Sequence, residues 1–215
     1  MDSERIIPLF PLGVVLLPGM GLPLHIFEER YKKLIEKCLR EKREFGVVFY
    51  SGKKMLRVGC TAGITEVIRN YAHGEMDILT EGRQRFVIKE LLDDKLYIEA
   101  KVEFFQDTRE DVDERMKDLV RIGKESLVQL NRVSSKNTDL GGVKNLDPES
   151  LSFLIASTEG FTLEEKQKFL EMTSTTERLE KSITSIQKIT ERLRLSKDIK
   201  RIFGTRDDAS ENTPL

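Results

Sequence analysis

The chain has 215 residues, of which 36 are Lys or Arg and 37 are Asp or Glu, so its formal net charge is −1. This length predicts one large domain or two small ones, with a sizeable core. The balanced charge argues against a protein that holds nucleic acid by bulk electrostatics. The two cysteines, Cys38 and Cys60, are too few for a disulfide scaffold and are typical of a reducing compartment.

An apolar run at positions 6–17 imitates a signal peptide. However, Asp2 and Glu4 interrupt the basic flank that such a peptide requires, and four prolines within the first 23 residues exclude a helix of useful length. The run is also too short to cross a bilayer, and no other stretch approaches that length. We therefore expect a soluble, cytoplasmic protein without a membrane partner.

The N-terminal residues are predicted to be extended, because proline in sheets is confined to edges, strand starts and bulges. We expect a kinked segment over residues 5–24, with one strand at 14–17 and a turn at 18–19. A helix is predicted next, since apolar residues recur at helical spacing over 26–39. A basic cluster at 40–43 ends this helix.

Short strands are predicted in the middle of the chain, at 45–50, 61–71, 76–79, 84–91 and 96–105. Gly82 is interpreted as the break between the third and fourth of them. In the last strand apolar residues alternate with polar ones, which indicates a half-buried antiparallel strand. Short strands joined by tight turns favour a small barrel or a curled sheet, which also protects strand edges.

The pattern turns helical after residue 107. Asp147 is predicted to be an N-cap, because a proline at the next position fits the first turn of a helix. Thr162 and Ser174 each begin a sequence that fits a capping box. The second box is expected to open a long helix that runs to Phe203, where a glycine follows and stops it.

The sequence carries no convincing catalytic signature. The sequence contains no P-loop, no G-x-S-x-G elbow and no H-E-x-x-H motif. His25 and His73, the two histidines, form no close pair with either cysteine, so neither a metal nor another cofactor is predicted. Cys38 and Cys60 are interpreted as core residues of a helix and a strand. A hydrolase that uses Cys60 as its nucleophile is the last-ranked hypothesis.

Four blocks of the sequence, in order, resemble the N-terminal domain of Lon proteases. The first, residues 7–24, is the proline-rich opening IPLFPLGVVLLPGMGLPL. The second and third are VGCTAGI at 58–64 and LTEGRQRF at 79–86. The fourth lies at 166–179 and is similar to the helical subdomain of that family. The resemblance therefore covers about residues 5–203.

This resemblance implies an α+β fold: a PUA-like small antiparallel β-barrel with one inserted helix, followed by a C-terminal α-helical bundle. The expected boundaries are 1–107 for the β subdomain, 108–204 for the helical subdomain and 205–215 for a disordered tail. Full Lon proteases continue into an ATPase module and a Ser-Lys peptidase domain, for which 215 residues leave no room. The expectation is therefore a peptidase S16 relative that is not an enzyme.

The leading hypothesis is a stand-alone domain that binds unfolded or damaged polypeptide, or acts as an adaptor in protein quality control. Shallow apolar surface with a charged rim is typical of transient peptide recognition. The predicted peptide-binding residues are Met20, Leu22, Glu29, Arg30, Lys33, Arg83 and Arg85. The alternative for each is structural: the two apolar side chains would close the barrel, and the charged ones would form a solvated surface.

Two other functions remain open. The end of the last helix is basic, and PUA-like barrels elsewhere read RNA, so an RNA-binding module is the alternative. Its stacking residues are scarce, with Phe203 as the aromatic in that segment and no tryptophan in the chain. The same basic end would also suit docking to a separate ATPase or protease, or simple complementation of the helix dipole.

Overall fold

The computed structural model describes residues 5–92, 96–134 and 141–203. The tail predicted at 205–215 lies outside these residues. One sheet holds six strands: β1 (Arg5–Leu12), β2 (Gly21–Ile26), β3 (Phe45–Tyr50), β4 (Met55–Asn70), β5 (Met76–Leu92) and β6 (Glu99–Phe105). The helices are α1 (Glu29–Glu41), α2 (Glu114–Ser134), α3 (Pro148–Ser157), α4 (Leu163–Glu171) and α5 (Thr175–Phe203), with a 3-10 helix at Gly141–Asn145.

The strand pairings form a closed circuit. From β5 they pass through β4, β3, β1 and β6 and return to β5, while β2 extends the sheet from β5. The predicted α+β class is confirmed, but the sheet is mixed and not antiparallel as expected, because β1 and β3 are parallel. The chain reaches β3 through β2 and α1, a connection long enough to bring it back in the same direction.

The strand predicted at 14–17 is also wrong. Those residues are not in a strand, although Leu17 is fully buried, and β1 lies upstream with two prolines in it. The register explains how β1 accepts them. Its first half, with Pro8, pairs with β6, and its second half, with Pro11, pairs with β3. Each half therefore has one unpaired side, where a missing N–H costs no ladder hydrogen bond.

Gly82 lies inside β5 and does not break it. A Cβ atom at Gly82 would lie 2.1 Å from the carbonyl oxygen of Leu17, so only glycine permits this close approach. The Gly82 N–H donates to the Met20 carbonyl at 2.9 Å, and the Gly82 carbonyl accepts from Gly19 at the same distance. The glycine that suggested an end to the strand instead joins β5 to the N-terminal loop.

Helix ends agree well with their predicted signals. Asp147 caps α3 by accepting from the Ser150 N–H at 2.9 Å, and Thr162 forms a full capping box at α4. The first helix begins later than predicted: Ile26 belongs to β2, where it pairs with Met76, and α1 starts at Glu29. One apolar core cluster includes residues of both the strands and the helices, and a second lies among the strands.

Candidate functional site

Of the first two predicted residues, Met20 lies just before β2 and Leu22 lies within it. Met20 is half-buried, and its backbone is held by the hydrogen bond from Gly82. Leu22 is only 9% exposed and belongs to the apolar core. Leu22 therefore has the structural role that the alternative interpretation expects, while part of the Met20 side chain is accessible.

The charged residues predicted on the first helix do lie on its exposed side. Glu29 and Lys33 are exposed in the first turns of α1. A hydrogen bond from Lys32 at 2.9 Å, together with the lysine charge, holds the pKa of Glu29 below its usual value. Arg30 donates to Glu28 and lies over the ring of Tyr31, with its guanidinium carbon 4.5 Å from the ring centroid.

The two predicted arginines of β5 have different environments. Arg83 is exposed and pairs with Glu81 at 2.9 Å. Arg85 is 3% exposed, and its guanidinium donates to Asp107 at 2.5 Å and to the carbonyl oxygens of Leu170 and Met172. A side chain so enclosed does not meet an external peptide, so the prediction of Arg85 as a contact does not fit the structure.

Arg85 belongs to a buried junction between the sheet and the helices, formed with Asp107 and Arg178. Arg178 of α5 is fully buried and donates to Asp107 at 2.5 Å and to the Ser152 hydroxyl at 2.7 Å. Burial raises the pKa of Asp107, but hydrogen bonds from Arg178 and Thr175 and the charges of both arginines outweigh it, so that the pKa lies below its ordinary value. The carboxylate therefore stays charged and ties β5 to α5.

An open cavity with a volume of about 420 Å³ lies beside the start of α1. We call it the sheet groove; its wall includes Phe10, Leu12, Arg30, Tyr31, Tyr50 and Leu96. The rings of Phe10 and Tyr31 stack with centroids 3.9 Å apart, which fixes an aromatic floor. Leu96 is 66% exposed at the rim, next to the ion pair of Arg30 with Glu28. Of the predicted residues, only Arg30 lines this groove.

A second groove of about 650 Å³ lies among α2, α3 and α5. We call it the helical groove; its wall includes Leu127, Leu130, Leu154, Ile189, Leu193 and Lys197. Beyond it, α5 carries an apolar stripe with more than half of each side chain exposed, formed by Leu195, Ile199, Ile202 and Phe203. In both the helical groove and this stripe, apolar side chains lie beside basic ones.

Sequence reasoning missed a polar and aromatic cluster at the end of β2. His25 Nδ1 lies 2.7 Å from Asp77 Oδ1, and the Tyr71 hydroxyl donates to the other oxygen of Asp77 at 2.7 Å. The ring of Phe27, 58% exposed, lies against that of His25. The alternation of Leu22, Leu24 and Ile26 with more exposed residues indicates a strand at this position. The neighbouring prolines concealed that pattern.

The cysteines are unsuited to nucleophilic catalysis. Burial raises the pKa of Cys60 to about 12 and that of Cys38 to about 11, so both thiols stay protonated at neutral pH. Over the described residues, no group of three or more His, Cys, Asp or Glu side chains is placed to hold a metal ion. None of the helices in the described ranges has the length and apolar character needed to cross a membrane.

A family model described as the ATP-dependent protease La (LON) substrate-binding domain matches residues 6–188. The chain belongs to this family. Its match confirms the resemblance that the four sequence blocks suggested.

Curated relatives named Lon protease agree with this membership. The one from Cytophaga hutchinsonii is 26% identical over 93% of this chain, and the one from Escherichia coli strain K12 is 29% identical over 92% of it. The chain spans about a quarter of the length of these relatives, 26% and 27% respectively.

Two solved structures share the fold. The Lon N-terminal domain protein from Xanthomonas campestris superposes with a TM-score of 0.66 at 20% identity, covering 84% of this chain and 98% of that one. The N-terminal domain of the Mycobacterium avium complex Lon protease gives 0.68 at 20% identity, covering 85% and 98%. The arrangement of strands followed by helices is thus the Lon N-terminal fold.

Proposed function

We propose that this chain is a non-catalytic module that binds segments of unfolded or damaged polypeptide. The observation that carries the proposal is the match of residues 6–188 to a substrate-binding family. The sheet groove supports it, because an aromatic floor with a charged rim is typical of peptide recognition. The burial and raised pKa of Cys60 argue against its use as a nucleophile.

The proposed binding surface combines the sheet groove with those predicted peptide-binding residues that are exposed. Arg30 belongs to both sets, and Glu29 and Lys33 lie in the adjacent turns of α1. Met20 and Arg83 are retained as flanking contacts because both have accessible side-chain area. Leu22 and Arg85 are left out on account of their burial.

The proposed domain architecture follows from the family resemblance. The circuit of strands is taken as a PUA-like barrel, with 1–107 as the β subdomain and 108–204 as the helical subdomain. The end of β6 at Phe105 and the start of α2 at Glu114 support a boundary between them. The proposal includes a cytoplasmic location, which the two free cysteines support.

An adaptor role in protein quality control extends the proposal. Polypeptide bound by the strands would be presented to a separate ATPase or protease that docks on the helices. The apolar stripe on α5, with its flanking basic residues, supports such a contact more than it supports RNA binding. Phe203 is the exposed aromatic of that stripe, whereas single-stranded nucleic acid requires several stacking side chains.

The experiment is a titration of a fluorescently labelled, permanently unfolded protein into the chain, with the folded form of the same protein as control. Binding of the unfolded form alone is expected. The variant Leu96→Asp places a charge on the rim of the sheet groove and should weaken binding by about fivefold or more. Leu163→Asp, a matched change at an exposed leucine of α4, should not. Equal affinity of both variants and the parent would contradict the groove assignment.

A further inference from the structure

The sheet has one strand that lacks a second neighbour along its whole length. Among the described strands, β2 pairs with β5 alone, over six consecutive residues from Gly21 to Ile26 and without a bulge. A strand edge of this kind presents backbone groups that have no partner in the sheet.

Two other partly unpaired segments carry a bulge or a side-chain contact to the backbone, neither of which the described residues place on the outer edge of β2. In the outer half of β4 the register shifts twice, between Ile64 and Glu66 and between Val67 and Arg69. Bulges of this kind twist an edge away from further pairing. On β1 the Ile6 carbonyl, in the half that pairs only with β6, accepts from Arg43 at 3.0 Å. The regular edge of β2 is therefore distinct.

The backbone groups on that edge follow from the alternation of an antiparallel ladder. Pro23 has no N–H and cannot exchange two hydrogen bonds with its partner Leu79. The residue pairs that exchange two hydrogen bonds must then be those that Leu22 and Leu24 form with β5. The hydrogen bond from the Gly82 N–H to the Met20 carbonyl continues the same alternation. The N–H groups of Gly21 and His25, and the carbonyls of both residues and of Pro23, are consequently directed away from β5.

This edge is open. Gly21, Pro23 and His25 are all exposed, and a Cβ atom built on Gly21 would have no neighbour within 4 Å. The His25 side chain is half exposed, and Phe27 continues the same row of outward side chains. A chain that approaches this edge would meet its backbone groups first, with the rings of His25 and Phe27 beside them.

We infer that the free edge of β2 binds an extended segment of unfolded polypeptide as an added strand. The inference rests on the proposed function and specifies how the substrate is held. Two donors and three acceptors in a row at strand spacing are complementary to another extended backbone, whatever its side chains. This mode suits a binder of unfolded chains of many sequences. Pro23 leaves the middle of the edge without a donor, which weakens pairing of two copies edge to edge.

One test removes a single donor from the edge. His25→Pro deletes the outward N–H, while His25→Ala deletes the same imidazole and keeps the N–H. We expect His25→Pro to bind an unfolded model peptide about tenfold more weakly than His25→Ala, the effect of one to two hydrogen bonds. Ile68→Pro, at the bulge on the opposite edge, is the control for introducing proline into an exposed strand and should keep the parent affinity. Equal affinities of the two His25 variants would overturn the inference.

A second test changes the ligand and leaves the protein intact. Three synthetic peptides of one apolar sequence are compared: unmodified, N-methylated at every second residue, and N-methylated at every residue. The first two present at least one edge with N–H groups and should bind; the third presents none and should lose at least about tenfold. Failure of the unmodified peptide to bind would refute the proposed function itself. Equal binding of all three would refute only the added strand.

Discussion

The strand region and the helical region expose different kinds of surface. Between Arg5 and Phe105 the chain presents an unpaired backbone edge on β2 and the sheet groove. Between Glu114 and Phe203 it presents the helical groove and the α5 stripe, which are apolar side chains. Backbone groups in the interior of a helix are satisfied within it, so the side of a helix recognises a partner through its side chains.

This difference supports the two roles proposed above. A backbone edge accepts any extended chain, which suits unfolded substrates, whereas apolar side chains on a basic helix require a matching surface, which suits a defined partner. The buried junction of Arg85, Asp107 and Arg178 joins the two regions. Changes at the junction should affect the whole molecule, and changes within one region should affect that region alone.

The largest effect is expected at the junction. Asp107→Ala leaves two buried guanidinium groups without their carboxylate, and removing one partner of a buried ion pair costs about 3–5 kcal/mol of unfolding free energy. Urea denaturation followed by circular dichroism measures the loss. Asp118→Ala, which breaks an exposed pair with Arg121, should change stability by less than about 1 kcal/mol. Equal effects of the two variants would show that the junction does not hold the regions together.

The next largest effect is expected where β5 meets the N-terminal loop. Gly82→Ala forces a methyl group against the Leu17 carbonyl and should cost about 1–3 kcal/mol or more. Gly13→Ala is the matched change in the N-terminal loop that faces Gly82, and there the new methyl group meets nothing within 4 Å. Its stability should remain close to that of the parent in the same urea titration. A stable Gly82→Ala variant would contradict the close approach.

A smaller effect is expected inside the helical region. Thr162→Ala removes the capping box of α4 and should lower the unfolding free energy by about 1 kcal/mol. Peptide affinity should stay unchanged, because α4 lies outside the strand region. Thr184→Ala, at an exposed position inside α5, is the control and should leave stability within about 0.5 kcal/mol of the parent. Loss of peptide binding in Thr162→Ala would contradict the division of roles.

The pH dependence of stability tests the charge state at the junction. The pKa of Asp107 is lower in the folded protein than in the unfolded one, so its contribution is complete above the unfolded value of about 3.9 and is lost as pH falls through the folded value. Unfolding free energy should therefore decline below about pH 4. Asp107→Asn should show a shallower decline over the same range in parallel denaturation curves. An identical slope in both proteins would contradict this assignment.

Helix ends were predictable from the sequence, while strand pairing was not. Asp147, Thr162 and Ser174 act on N–H groups within three residues, so their signal is local. The role of Gly82 depends on Leu17, and the burial of Arg85 depends on Asp107 and on the end of α4, all distant along the chain. The prolines led us to expect a kinked segment with its strand at 14–17, because sequence does not show that each half of β1 has one unpaired side.

The candidate site was only partly predictable for the same reason. Arg30 was identified because charge beside an apolar helix face is visible in sequence, and it does line the sheet groove. Tyr31 and Tyr50 were missed, since their proximity arises from the pairing of β1 with β3. The β2 edge was missed because an edge is defined by the absence of a neighbour, which only the topology reveals.

Hydrogen–deuterium exchange of the full chain, with and without a saturating unfolded peptide, tests the division of roles most directly. We predict that the peptide slows exchange at the Gly21 and His25 amides of β2, since these N–H groups would become hydrogen-bonded in the added strand. Amides of α2 and α5 should exchange at unchanged rates. Protection confined to the helices, with β2 unaffected, would contradict the assignment of polypeptide binding to the strand region.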